Sequence, residues 1–336
     1  MIGAGRGDGY GPFKPTYLSF LIPKGWPKPA TNYFEKNRLT EQGFQLGKKL
    51  FYDSRLSKDR EVSCAGCHQP FGAFATFDHD LSHGVNNSFT TRNAPALMNL
   101  AWMQNFHWDG AINHLEVQPL GPLTAANEMG QTLDSILFFL KSDTAYRRMF
   151  KAAFGDPSIS SQRMLWALAQ FTGSLVTANS KYDRVMNGQD TFSNFEKNGY
   201  RHFKNNCAGC HKEPLFTDNS FRNNGISLNR FKDAGRQLVT GLSSDSLKFK
   251  VPSLRNIQLT YPYMHDGSIF SVPQVLDHYI SKINIHQPGL DTLLQKPILL
   301  TKLQKNELTY FLYTLTDTSF TKNKRFAPDG PVSFKH

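Results

Sequence analysis

Cysteine is scarce in this sequence, and every cysteine belongs to one repeated motif. The 336 residues contain four cysteines, all within two copies of Cys-Ala-Gly-Cys-His, at 64–68 and 207–211. No thiol is left for a disulfide, a zinc site or a catalytic cysteine elsewhere. The spacing is that of covalent haem c attachment, in which two thiols bond to the porphyrin and the histidine ligates iron. The sequence therefore predicts two haem c groups, held by Cys64, Cys67 and His68 and by Cys207, Cys210 and His211.

Long apolar runs are also missing. No stretch approaches the 18 or more apolar residues of a membrane-spanning helix, so we expect no membrane span. Residues 1–12 are rich in glycine and lack the charged start and apolar core of a secretory signal. We expect this segment to be disordered and the export signal to be absent or replaced. Because haem c is attached outside the cytoplasm in bacteria, the motifs nevertheless predict a periplasmic location.

Acidic residues are outnumbered, which gives a formal net charge of +11. The Lys and Arg residues are scattered and form no run longer than three. This pattern is typical of a solvated surface with a mild preference for acidic partners, and it disfavours a nucleic-acid-binding function.

Strand-like alternation is rare, and the apolar spacing predicts helices separated by long loops. The predicted helices cover residues 39–51, 133–154, 162–177, 193–203, 272–282 and 303–316, and the long loops cover 69–92 and 217–251. The helices at 39–51 and 193–203 each precede a Cys-Ala-Gly-Cys-His motif and form a pseudo-repeat, the second with a capping box of Ser193 and Glu196. We therefore expect an all-α fold of two cytochrome c-like domains, 1–182 and 183–336, with one haem each. Helices near 133–178 are expected to pack across the interface between the domains.

Several ordered motifs resemble those of the bacterial di-haem cytochrome c peroxidases, a family that also includes the di-haem enzyme that matures methylamine dehydrogenase. They lie at residues 50–57, 92–95, 108–110, 121–123, 127–130, 252–256 and 262–267, and thus span nearly the whole chain. The resemblance implies that the haem on His68 is the peroxidatic site. It also implies that the haem on His211 receives electrons from a small external donor.

The resemblance implies a catalytic pocket beside the first haem. Glu128 matches the family glutamate that moves a proton between the two oxygens of hydrogen peroxide, and Gln118 and Pro122 match its pocket partners. A glutamate at this position could instead stabilise the first turn of the helix that follows. Trp108 matches the tryptophan between the two haems, where an aromatic ring would assist electron transfer. It could also be an ordinary core residue.

Two further sites are implied by the resemblance. Asn93, Thr260 and Pro262 match positions that hold a calcium ion through a side-chain oxygen and backbone carbonyls, which are hard ligands suited to calcium. His83 matches a loop histidine that caps the resting peroxidatic iron and must move away before peroxide binds. A solvated loop histidine is the alternative for His83. Gly84 would give such a moving loop backbone freedom.

The second haem departs from the peroxidase pattern. Peroxidases of the family place a methionine ligand fourteen residues after the histidine that matches His265, and Tyr279 occupies that position here. The methylamine-dehydrogenase maturation enzyme has a tyrosine ligand at the matching place. A phenolate stabilises ferric iron and lowers the haem potential. The alternatives are that Tyr279 packs on the apolar side of its helix and that Met264 is the sixth ligand.

Three functions remain open on the sequence alone. The first is a peroxidase that reduces hydrogen peroxide to water with electrons from a small c-type cytochrome or cupredoxin, and Glu128, Gln118 and His83 favour it. The second, favoured by Tyr279, is an oxidase that uses peroxide-derived ferryl haem to modify a protein or small molecule. The third is a plain electron-transfer protein, which an acid/base pocket argues against. The physiological donor and the oligomeric state, a homodimer included, stay undetermined.

Overall fold

A computed structural model of the chain describes residues 13–30 and 33–331, so the expected disorder of residues 1–12 lies outside the described part. The α-helices are α1 Tyr33–Lys36, α2 Glu41–Tyr52, α3 Cys64–Cys67, α4 Leu120–Thr124, α5 Leu133–Ser142, α6 Thr144–Phe154, α7 Ser161–Gly173, α8 Lys181–Met186, α9 Asn194–Asn206, α10 Gln237–Thr240, α11 Val272–Asp277, α12 Lys302–Tyr313 and α13 Thr318–Thr321. A π-helical turn, His278–Lys282, continues α11. Short 3₁₀ turns lie at Ser54–Leu56, Pro70–Gly72, Val85–Asn87, Leu100–Trp102, Ser243–Asp245 and Thr292–Leu294. Within the described residues, no helix is both long enough and apolar enough to cross a membrane.

The pseudo-repeat predicted before the two motifs is present. Helix α2 packs on α7, and α9 packs on α12. Each pair crosses at a glycine: a Cβ atom on Gly47 would collide with the carbonyl oxygen of Ala167, and one on Gly199 would collide with that of Glu307. The capping box of Ser193 and Glu196 forms at the start of α9 as expected. The same helix-crossing geometry thus supports both haem-attachment motifs.

Buried apolar side chains form two separate cores. The larger core combines α2 with α5, α6 and α7, and the smaller core combines α8, α9, α11 and α12. The buried residues of the helices near 133–178, such as Phe150 and Phe171, belong to the larger core, and the packing of these helices across a domain interface stays a prediction. Phe320 and Phe326, near the C-terminus, also return to the larger core, and a domain boundary at residue 182 stays a prediction.

The structure departs from the predicted elements in three places. The helix predicted at 133–154 is divided at Asp143, whose side chain accepts hydrogen bonds from the backbone of Ala145 and Tyr146 and so caps α6. The helix predicted at 272–282 ends as a π-helical turn. The fold is not purely helical, because Phe221–Arg222 (β1) and Phe249–Lys250 (β2) pair as antiparallel strands inside the loop predicted at 217–251. Strands of two residues are too short to produce a detectable alternation.

Candidate active site

One cavity of about 760 Å³ reaches both Cys-Ala-Gly-Cys-His motifs. Its wall includes all six residues predicted to attach haem, namely Cys64, Cys67, His68, Cys207, Cys210 and His211. In the first motif the two cysteines begin and end α3, and the amide of His68 donates to the carbonyl of Cys64 at 2.9 Å. In the second, the amide of His211 donates to the carbonyl of Cys207 at 3.0 Å. A single tight turn therefore holds the thiols and histidine of each motif together.

The chemistry of these side chains fits haem c. The Nδ1 atom of His68 lies 3.1 Å from the carbonyl oxygen of Phe74, and Nδ1 of His211 lies 3.1 Å from that of Phe216. A carbonyl partner at Nδ1 orients the imidazole and leaves Nε2 for iron. Burial lowers the pKa of His68 to about 4, so the ring is neutral and able to ligate. Burial raises the pKa of Cys64 to about 12, so this thiol stays uncharged in the apolar cavity.

Glu128, Gln118 and Pro122 all line this cavity together with the first motif. Glu128 lies in a turn after α4, where its carbonyl accepts a hydrogen bond from the amide of Val85 at 2.8 Å. It does not stabilise the first turn of α5, because Thr132 caps that helix and Asp134 is the acidic residue of its first turn. Burial raises the pKa of the Glu128 carboxyl. A carboxyl group so placed can both accept and donate a proton inside the cavity.

His107 also lines the cavity, and the sequence analysis missed it. Its Nε2 atom lies 3.5 Å from Nε2 of Gln118, and burial lowers the pKa of its ring. Its backbone has φ of 64°, an unusual conformation for a residue other than glycine. The signal in the sequence was a histidine directly before Trp-Asp-Gly, which carries no spacing information by itself.

Trp108 lies in the wall of the cavity that joins the motifs, as the bridging prediction requires. Its Nε1 atom donates to the carbonyl of Asn93 at 2.8 Å, and its own carbonyl accepts from the amide of Lys250 at 2.7 Å. The ring is thus fixed between the segment after the first motif and strand β2. The Nζ atom of Lys250 donates to the carbonyl of Asn105 at 2.8 Å, and burial lowers the pKa of this lysine to about 8.

A buried network of charges adjoins Trp108. Arg92 donates to both oxygens of Asp233 at 2.6 and 2.8 Å, and to Asp109 at 2.5 Å. Asp109 belongs to the segment after the first motif and Asp233 to the loop after the second. One guanidinium therefore ties together the two halves of the cavity wall, with its charge compensated by two carboxylates.

Asn93, Thr260 and Pro262, the residues expected to hold calcium, line the same cavity. The side-chain nitrogen of Asn93 donates to the carbonyl of Asp80 at 3.1 Å, so the amide oxygen is the atom that a cation would use. Within the described residues, no group of three or more His, Cys, Asp or Glu side chains could hold a metal ion. A calcium site here therefore depends on Asn93 and on backbone carbonyls, as the resemblance implies.

His83 does not lie in the cavity wall. Its ring packs 4.5 Å from the ring of Phe89, measured between centroids. Gly84 has φ of −105°, within the range open to any residue, and a Cβ atom there would collide with the carbonyl of Asn127. The glycine is therefore required by close packing, in place of the backbone freedom that we expected.

Tyr279 and Met264, the two candidates for the sixth ligand of the second haem, both line the cavity. The side-chain nitrogen of Asn224 lies 3.5 Å from the hydroxyl oxygen of Tyr279 and 3.4 Å from the sulfur of Met264. Burial raises the pKa of the Tyr279 hydroxyl, and the contact with Asn224 opposes that shift. Tyr279 lines the cavity together with Val275 and Leu276 of the same helix, so iron ligation by its hydroxyl stays a prediction.

Comparison with known proteins agrees with this geometry. The family model described as di-haem cytochrome c peroxidase matches residues 41–191. The methylamine utilization protein MauG of Methylorubrum extorquens is 35% identical over 302 residues, which cover 88% of this chain and 83% of that protein. The chain belongs to the di-haem cytochrome c peroxidase family. The cytochrome c551 peroxidase of Nitrosomonas europaea, another member, is 35% identical over 248 residues, or 69% of this chain and 71% of that protein.

The fold of this chain is also similar to that of a solved structure, over nearly the whole length of that protein. A MauG-like protein associated with microbial copper homeostasis superposes with a TM-score of 0.84 and 32% identity, over 92% of this chain and 99% of that one. Family membership implies haem c cofactors and oxidoreductase chemistry. The relatives include both peroxidases and MauG proteins. Family membership therefore does not distinguish between these two roles for this chain.

Proposed function

We propose that this protein reduces hydrogen peroxide to water at the first motif, with two haem c groups bound. Electrons would arrive at the second motif from a small c-type cytochrome or cupredoxin in the periplasm. The observation that carries the proposal is the half-buried carboxyl group of Glu128 in the cavity wall, close enough to Cys64 and Cys67 of the first motif to affect their pKa values. An electron-transfer protein has no need of a proton-transfer group at that position.

The residues of the first site divide the reaction between them. When bound, the haem supplies the iron that holds peroxide and exchanges electrons. The Glu128 carboxylate would accept a proton from one oxygen of hydrogen peroxide in the cavity and return it to the other oxygen, which would leave as water. Gln118, held near His107, donates a hydrogen bond within the same space, and Pro122 helps to exclude water. In total, one peroxide, two electrons and two protons give two water molecules.

The second site supports an alternative. A tyrosine at position 279 would lower the potential of that haem and make it a poor acceptor from a mild donor. The protein would then be an oxidase that uses peroxide to modify a protein or a small molecule. In that function, Trp108 would let the two haems share oxidising equivalents. Tyr279 is the observation that favours this function. In both cases we propose one calcium ion at Asn93, Thr260 and Pro262.

Steady-state kinetics separate these functions. The purified di-haem protein is mixed with hydrogen peroxide and a reduced c-type cytochrome, and cytochrome oxidation is followed by absorbance. Rapid, peroxide-dependent oxidation supports the peroxidase. Negligible oxidation of the cytochrome, together with peroxide-dependent modification of a tyrosine- or tryptophan-containing substrate, supports the oxidase. If the protein catalyses neither reaction, the remaining function is that of a plain electron-transfer protein. Redox titration with spectra of both haems then identifies the iron ligands.

A further inference from the structure

Asn224 brings together two iron-ligand candidates that the sequence presents as alternatives. Its side-chain nitrogen carries two hydrogens and lies within 3.5 Å of both the Tyr279 oxygen and the Met264 sulfur. The two ligand atoms are therefore neighbours on the same side of the cavity. The carbonyl of Asn224 accepts a hydrogen bond from Nε2 of His278 at 3.0 Å, which anchors this segment to the π-helical turn.

The backbone on both sides of this contact is unusual. Tyr279 lies in the π-helical turn His278–Lys282, and such turns occur frequently at functional sites. Met264 has φ of 73°, in the left-handed region that residues other than glycine rarely occupy. Strained positions of this kind persist where the surrounding structure enforces them. An irregular backbone conformation at each residue thus places both side chains next to the amide of Asn224.

Oxygen and sulfur ligands prefer different oxidation states of iron. A phenolate is a hard anionic donor that stabilises ferric iron, whereas a thioether is a soft neutral donor that suits ferrous iron. We propose that the second haem exchanges its sixth ligand on reduction, from the oxygen of Tyr279 to the sulfur of Met264, and that Asn224 positions both. This inference rests on the proposed haem at the second motif, with Tyr279 as its ferric ligand.

The exchange balances in charge and atoms. A one-electron donor protein reduces the iron, the bond from iron to the phenolate oxygen breaks, and the phenolate takes up one proton from solvent. The bond from iron to the Met264 sulfur then forms. Asn224 donates to the phenolate in the ferric state and keeps the sulfur within reach for the ferrous state. The reverse sequence accompanies oxidation.

Spectroelectrochemistry of the di-haem protein tests the exchange. Met264→Leu keeps the volume of the side chain and removes the sulfur, and Met186→Leu at an exposed methionine is the matched control. We expect Met264→Leu to leave the ferric spectrum unchanged, to convert the ferrous second haem to a form without a sulfur ligand, and to lower its midpoint potential. Met186→Leu should change none of these. Identical ferrous spectra and potentials for the wild type and Met264→Leu would overturn the inference.

Two further variants test the roles of the oxygen and the amide. Tyr279→Phe should bring the sulfur-to-iron absorption band into the ferric spectrum, and adding Met264→Leu should abolish it. Asn224→Leu should alter the ferric spectrum and lower the share of the sulfur-ligated ferrous form, because both candidate ligands lose the amide that positions them. A ferric spectrum without this band in Tyr279→Phe contradicts the exchange. Peroxide turnover by the wild type is measured separately, so failure of the exchange is distinguishable from failure of the proposed peroxidase activity.

Discussion

At the residue scale, the proposed chemistry depends most directly on Glu128. Replacing it by Gln keeps the size of the side chain and removes its ability to accept a proton. We expect Glu128→Gln to keep both haems and to lower peroxide turnover by roughly a hundredfold or more, the scale of a lost proton-transfer group. Glu116→Gln, in the same connecting segment but outside the cavity wall, is the control and should retain full turnover. Near-normal turnover of Glu128→Gln would remove this residue from the mechanism.

Burial of Glu128 also predicts a pH dependence. Because burial raises the pKa of this carboxyl above its ordinary value of 4.5, the carboxylate becomes protonated at a higher pH than an exposed glutamate would. The base form is then lost as pH falls through the raised pKa, and kcat/KM for peroxide should fall with it. The residual activity of Glu128→Gln should lack this acidic limb. An acidic limb that is the same in both proteins would indicate another group.

The position of His83 predicts how the resting protein reacts. Its ring packs 4.5 Å from the ring of Phe89, measured between centroids, and His83 is not among the residues of the cavity wall. We therefore expect the fully ferric protein to react with peroxide without prior reduction, and His83→Gly to react at the same rate. Stopped-flow absorbance measures both. A slow ferric reaction that accelerates on partial reduction, or in His83→Gly, would instead identify His83 as a capping ligand.

At the scale of elements, the loop that carries His83 is bound to the turn that carries Glu128. The amide of Val85 donates to the carbonyl of Glu128 at 2.8 Å, and Nδ2 of Asn127 donates to the carbonyl of Phe89 at 3.2 Å. Gly84 makes this contact possible, because any Cβ atom there would collide with the carbonyl of Asn127. These contacts hold the loop of His83 against the turn of Glu128.

A Gly84→Ala substitution tests this coupling. The added methyl group must push the loop from the turn, at a cost of about 1–3 kcal/mol typical of overpacking, and should displace the Glu128 carboxyl. We expect normal haem content with lowered peroxide turnover. Gly330→Ala, where a Cβ atom would meet nothing within 4 Å, is the control. Unchanged turnover in Gly84→Ala would mean that the turn holds its position without the loop.

At the scale of the whole molecule, Arg255 joins segments that are far apart in sequence. Its side chain is completely buried, donates to Asp183 at 2.8 and 2.9 Å and to the carbonyl of Pro214 at 2.8 Å, and stacks 4.4 Å from the ring of Trp26. The ion pair thus connects the N-terminal segment, the start of α8 and the loop after the second motif. Removal of either partner would leave a buried charge unpaired.

We expect Arg255→Met to lower the free energy of unfolding by about 3–5 kcal/mol, measured by denaturant titration of the di-haem protein. Arg163→Met, which breaks a solvent-exposed pair with Asp156, should cost about 1 kcal/mol or less. Burial alone would raise the pKa of Asp183, but the Arg255 contacts outweigh it and lower that pKa. The pair therefore stabilises the fold above the unfolded pKa of 3.8, and this contribution is lost as pH falls through the lower folded value. Equal losses in the two variants would contradict a special role for Arg255.

Prediction from sequence succeeded where the signal was local. The helices before each motif and the capping box at Ser193 follow from apolar spacing and from side chains that bond to neighbouring backbone. It failed at Asp143, where a cap divides a helix whose apolar periodicity continues, and at the strands β1 and β2. Those strands pair residues 221 and 250, a contact that no local pattern encodes.

The sequence by itself predicted the haem attachment, because two thiols and a histidine at fixed spacing fit on a single turn of chain. The family motifs also identified Glu128, Gln118, Pro122 and Trp108, all of which line the cavity. Only the tertiary structure decided how these residues meet. It placed His107 and Lys250 in the same wall, left His83 outside it, and brought Tyr279 and Met264 to one amide of Asn224. Such contacts join segments separated by tens of residues, and they are set by how the two cores close around the cavity rather than by any interval along the chain.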